Sequence, residues 1–84
     1  MATVVLPTAV RRELDALPRD IHYRVASILV RLELWPEVSG AKPLRHGLVG
    51  KYRIRTGDYR VQFRVHGTTV IVEKIAHREG FYED

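Results

Sequence analysis

The apolar residues of this chain change period once, and that change restricts the folds open to it. Before Glu37 they recur at helical spacing: Val10, Leu14 and Leu17 after a possible cap at Thr8, then Ile21, Val25, Ile28, Leu32 and Trp35, with proline at positions 18 and 36 as punctuation. Beyond Gly50 they alternate with polar residues at the period of a strand. Between the two regimes lies a polar stretch, Glu37 to Gly50, carrying Pro43 and three glycines. A single switch of this kind predicts an α+β domain spanning residues 1–84. An N-terminal helical hairpin packs on a twisted, mainly antiparallel sheet of about four strands. The helical stripe, Trp35 included, reads as core.

The strand half can be read in more detail. Gly57-Asp58 and His66-Gly67 are turn signals, so the segments from Lys51, Tyr59 and Thr69 form a three-strand meander. A two-residue turn at Gly57-Asp58 pairs Ile54 with Val61 and Tyr52 with Phe63 on one face, and sets Arg55 opposite Arg60 on the other. Like charges so placed destabilise a ladder. Either a shared phosphate between the guanidinium forks removes the penalty, or the side chains splay into water. Val70 and Val72 share a face, but Ile75 is out of step with them, which predicts a β-bulge near Glu73-Lys74. Thr3 to Leu6 is a short β-prone run expected at a sheet edge.

Charge is segregated along the chain. Residues 42–78 carry nine Lys and Arg against two acids, Asp58 and Glu73, leaving five bases and eight acids elsewhere, although the net charge is only +4. Segregated positive charge points to nucleic acid or an acidic protein as partner, whereas a merely solubilising surface intersperses both signs. With 84 residues and no cysteine, the chain buries only roughly 60% of its unfolded surface and has no disulfide or thiolate chemistry. The opening MATVVLP lacks the basic start and length of a signal peptide, and no apolar run reaches membrane-spanning length. A cytoplasmic protein without a membrane partner is the expectation. No metal-ligand spacing, phosphate-cradling glycine loop or nucleophile elbow is present, so neither metal nor cofactor is expected. His22 and His66 read as solvent-facing.

At Tyr52-Arg53-Ile54-Arg55, Asp58-Tyr59-Arg60-Val61 and Ile75-Ala76-His77-Arg78-Glu79-Gly80-Phe81-Tyr82, the sequence resembles the RelE/ParE superfamily of bacterial and archaeal toxins. Leu44-Arg45-His46-Gly47 and the helical hairpin extend the likeness over nearly the whole chain. The resemblance implies two helices on a twisted antiparallel sheet and a cognate antitoxin, expected to be acidic and partly disordered. In the RelE-like branch it implies a metal-independent endoribonuclease that cleaves messenger RNA in the ribosomal A site. ParE-like members share the fold but poison DNA gyrase and lack much of the basic cluster and the terminal tyrosine. Fold alone does not separate the two. The cluster is present here, which favours the ribonuclease; a non-catalytic gyrase inhibitor is the alternative.

Carried over by position, Arg53 and Arg55 match two basic residues that are often lysines in the family. Arg60 and Arg78 match arginines at the scissile phosphate, and Tyr82 matches the tyrosine that stacks on or activates the nucleotide. Arginine effectively never loses its proton, so its part must be electrostatic. Arg55, Arg60 and Arg78 are thus candidates to stabilise a dianionic phosphorane. Lys51, Arg53, Arg45 and Arg64 are candidate RNA contacts. Tyr82 serves as acid or base only if nearby positive charge lowers its pKa; otherwise it packs or frays. His77 is either a direct catalyst, titrating near neutrality, or a hydrogen-bonded structural residue. A generic RNA-binding module is disfavoured, because Tyr52, Tyr59 and Phe63 fall on the apolar face and leave no stacking platform.

Overall fold

The computed structural model describes residues 1–44 and 50–80. In chain order these form strand β1 (Thr3–Val5), helices α1 (Thr8–Asp15) and α2 (Arg19–Arg31), and a 3-10 turn at Leu32–Leu34. Strands β2 (Lys42–Pro43), β3 (Lys51–Thr56), β4 (Tyr59–His66) and β5 (Thr69–His77) follow, and a second 3-10 turn covers Arg78–Gly80. The architecture is α+β, two helices packed on one mixed sheet.

Both helices start on a proline. Pro7 and Pro18 hold the cap positions with φ near −59° and −54° and extended ψ, and neither cap makes a side-chain hydrogen bond. Thr8 is therefore the first helical residue and not the cap expected of it; a fixed proline φ sets the entry in its place. α1 buries Val10 and Leu14, and α2 buries Val25 and Ile28, with Leu32 continuing the stripe.

The sheet order is β1-β5-β4-β3-β2, with β1 parallel to β5 and the other neighbours antiparallel. The expected register holds: Ile54 faces Val61, Tyr52 faces Phe63, and Arg55 faces Arg60 across the Gly57-Asp58 turn. The sheet has five strands where about four were expected. The extra one, β2, comes from the polar stretch, where two residues pair with Arg53 and Tyr52. Its Pro43 is tolerated because β2 is an edge. The second hairpin turns at Gly67-Thr68, one residue later than His66-Gly67, since His66 still pairs with Thr69 and Gly67 takes φ +62°.

The bulge lies where the sequence put it. Gln62 pairs with Lys74 but Phe63 with Val72, so Glu73 is the extra residue of β5. It resets the phase, and Val70, Val72 and Ile75 all reach the core with Val61, Phe63 and Ile54. Trp35 closes one side, its ring 4.7 Å from Tyr52 and 5.4 Å from Phe63. β1 accompanies β5 only as far as Ile71. Further along, the Ile75 N–H donates to Glu13 Oε1 of α1 at 2.9 Å, which fastens the helical layer to the sheet.

Phe63 is fully buried at the centre of this core. Its truncation in Phe63→Ala is expected to cost about 3–5 kcal/mol, with Phe63→Leu much milder. Urea unfolding of both variants measures the difference; a loss near zero for the alanine would place the packing centre elsewhere.

Candidate nucleic-acid interface

Strand alternation sends Ile54, Val61, Phe63 and Ile75 toward the helices, and their neighbours onto the opposite, outer face. That face is built in rows across the strands. The first row holds Arg55, Arg60 and Ala76; the second holds Lys42, Arg53, Gln62 and Lys74; the third holds Lys51, Arg64 and Ile71. Seven cations thus share one side of the sheet. Lys42 and Lys74 were not singled out from the sequence, because β2 shows no alternation and the bulge hides the phase of β5. The phase implied by a bulge before Lys74 was the one signal for Lys74.

The extra residue also puts an acid on this face. Glu73 receives Lys51 Nζ at 3.2 Å, Arg64 Nε at 3.1 Å and Gln62 Nε2 at 3.1 Å. Burial alone would push its carboxyl up. The hydrogen bonds from Gln62 and Lys51, the Lys51 charge and the Arg64 hydrogen bond outweigh that and hold it below its ordinary value. Lys51 and Arg64, two expected RNA contacts, are therefore neutralised in part within the chain.

The opposite end of the face has a different character. Arg55 is exposed and stands directly across from Arg60, which is only 6% exposed and is the only buried charged residue among those described. Its burial makes Arg60 a structural element as well as a candidate phosphate contact. Arg78 begins the 3-10 turn just past β5, and its backbone N–H donates to Asp58 O at 2.7 Å. This bond draws Arg78 to the Gly57-Asp58 turn, the end of the sheet that carries Arg55 and Arg60. Arg53 lies one row away, and Arg45 and Tyr82 lie outside the described residues.

His77 is separated from this group. It pairs with Tyr59, while its neighbour Ala76 pairs with Arg60, so the imidazole lies on the helix side of the sheet. There it meets the Tyr59 ring edge-on at 5.3 Å and lines a groove of about 510 Å³ with Asp20, Ile21, Arg24 and Asp58. Its Nδ1 accepts the Glu79 N–H at 3.3 Å, which leaves the proton of the neutral ring on Nε2. Among the described residues, no cluster of His, Cys, Asp and Glu suits a metal, and no helix is long and apolar enough to cross a membrane.

Known proteins are similar to this chain in sequence and in fold. Toxin RelG of Mycobacterium tuberculosis is 33% identical over 82 residues, covering 95% of this chain and 94% of the relative. The chain belongs to the RelE toxin family. No family model matches it. The RelE fold recurs in the crystal structure of the M. tuberculosis RelBE2 toxin–antitoxin complex, with TM-score 0.76 and 33% identity over 92% of this chain and 98% of that one. The RelB–RelE antitoxin–toxin complex from Methanococcus jannaschii gives TM-score 0.77 and 25% identity over 94% and 95%.

The Glu73 network has a testable pH signature. A carboxyl whose folded pKa lies below its unfolded value contributes stability above the ordinary value of 4.5, and loses it as pH falls through the folded value. Glu73→Gln is expected to be about 1 kcal/mol less stable than the parent near neutral pH, with the gap closing in acid. Urea titrations of both proteins across that range read it directly; a gap that persists in acid would assign the effect to packing.

Proposed function

We propose that this RelE-family chain is the toxin of a type II toxin–antitoxin pair and acts as a metal-independent endoribonuclease on messenger RNA in the ribosomal A site. The observation that carries the reading is the Arg55–Arg60 pair, two guanidiniums held opposite one another by a two-residue turn, with Arg78 tethered to that same turn. Two guanidiniums facing across a ladder are placed to share one anion. The phosphate of RNA fits, since each guanidinium fork matches a pair of its oxygens.

In this reaction the 2′-hydroxyl attacks the adjacent phosphorus and passes its proton to a base. The bond to the 5′-oxygen breaks, and that oxygen takes a proton from an acid. The products are a 2′,3′-cyclic phosphate and a 5′-hydroxyl. Arg55, Arg60 and Arg78 stabilise charge on the phosphorane, and none of them can be the base. Lys42, Arg53 and Lys74, in the next row, carry the flanking backbone. Tyr82 is the proposed proton-transfer residue. His77, facing the other side with its Nδ1 engaged, acts as a positioning residue for the turn that presents Arg78. The partner is an acidic, partly disordered antitoxin, and the site of action is cytoplasmic. The relatives seen in complex with RelB support this partner.

Arg55→Ala and Arg78→Ala alter exposed side chains, and each is expected to lower the cleavage rate on the order of 10²–10³-fold with the fold intact. Arg60→Lys keeps the buried charge but loses the fork. Growth arrest on induction, with primer-extension mapping of transcripts, reports the activity; combined Arg60→Ala, Arg78→Ala and Tyr82→Phe should abolish it. Growth arrest by the parent without cuts inside coding regions, together with inhibition of supercoiling by purified gyrase, would overturn the ribonuclease reading in favour of a ParE-like one.

A further inference from the structure

The core uses one side of α2, but the opposite side is not polar. Tyr23 is 68% exposed and Val30 66%, and Leu34, on the 3-10 turn that continues the helix, is 55% exposed. With Ser27 they fall at positions 23, 27, 30 and 34, a spacing of four, three and four. That is the spacing of a seam between two helices. Arg24 and Arg31 each follow a seam residue, seven positions apart, on one flank. On that flank lies a groove of about 430 Å³ between α2 and β3, lined by Tyr23, Arg24, Ser27, Ile28, Arg31, Arg55 and Thr56, with no acid among these residues. β2 covers β3 only over Tyr52 and Arg53, so the strand edge beside the groove has no neighbour in the sheet among the described residues.

From this geometry we infer that the outer side of α2 is a docking surface for an acidic amphipathic helix of the antitoxin, distinct from the cationic sheet face. The inference rests on the toxin reading above. The apolar side of the incoming helix covers Tyr23, Val30 and Leu34, and its carboxylates, one or two turns apart, meet Arg24, Arg31 and Arg55. Charge selects the occupant. A second copy docked through a twofold seam would bring Arg24 and Arg31 of one chain toward those of the other. RNA would leave three exposed apolar side chains in water. A helix with acidic flanks satisfies both features at once.

The test pairs the full-length chain with the protein encoded beside it, comparing the parent with Arg24→Glu/Arg31→Glu and with Val30→Glu. Arg24 and Val30 are exposed and Arg31 is half-buried on the flank of α2, and circular dichroism and melting temperature verify that each variant keeps the parent fold. The expected result is that both variants still arrest growth, while co-expression of the neighbour no longer rescues and its affinity, by calorimetry, falls at least about 100-fold. Variants that stay toxic and are still rescued would overturn the docking surface yet leave the toxin reading standing. A parent that causes no arrest would overturn the toxin reading itself, and this assignment of the occupant with it. Loss of RNA affinity in Arg24→Glu/Arg31→Glu with antitoxin affinity unchanged would assign the surface to nucleic acid. A parent that dimerises in light scattering and becomes monomeric as Val30→Glu would assign it to self-association.

Discussion

A single inserted residue in β5 decides how this sheet divides its two faces. Val70 and Val72 point into the core, and strict alternation from there would carry Ile75 outward and Lys74 inward. Neither is affordable in a small protein: one would expose a large apolar side chain and the other would bury an ammonium. Glu73, which has no register partner on β4, shifts the phase by one. Ile75 returns to the core, Lys74 joins the cationic face, and the Ile75 N–H turns to the carboxylate of Glu13. The helical layer, the core and the cationic surface therefore all depend on the same extra residue.

The bulge also grades the charge along that surface. At one end, Glu73 binds Lys51 and Arg64 and offsets much of their field. At the other end, Arg55 and Arg60 face one another across the ladder, and the backbone bond from Arg78 to the Gly57-Asp58 turn brings Arg78 near them. A polyanion drawn to the face as a whole would settle most strongly at the second end. Long-range attraction and local chemistry thus belong to different rows of the same sheet, and salt would weaken the first more than the second.

Local pattern made much of this legible. Alternation and a two-residue turn were enough for the register that sets Arg55 against Arg60, and the misfit of Ile75 was enough for the bulge. What escaped the sequence depended on partners distant along the chain. β2 exists because β3 offers it an edge, not because Lys42-Pro43 has strand character. Glu73 reads as one acid among many bases until the bulge sets it beside Lys51 and Arg64. The side on which His77 lies follows from a phase that no short-range pattern fixes. In α2 the buried stripe is the stronger pattern, and the apolar character of Tyr23 and Val30 on the exposed side has no explanation within the chain.

Arg55 connects the two surfaces. It stands in the first row of the cationic face opposite Arg60, and it also lines the groove beside α2. A carboxylate brought to Arg55 from the groove would claim one of the two forks that a phosphate shared by Arg55 and Arg60 needs. An acidic partner seated on α2 can therefore silence the site by occupying its edge, without covering the sheet. Substrate and inhibitor would then compete for one guanidinium, and that competition follows from the place of Arg55 on both surfaces.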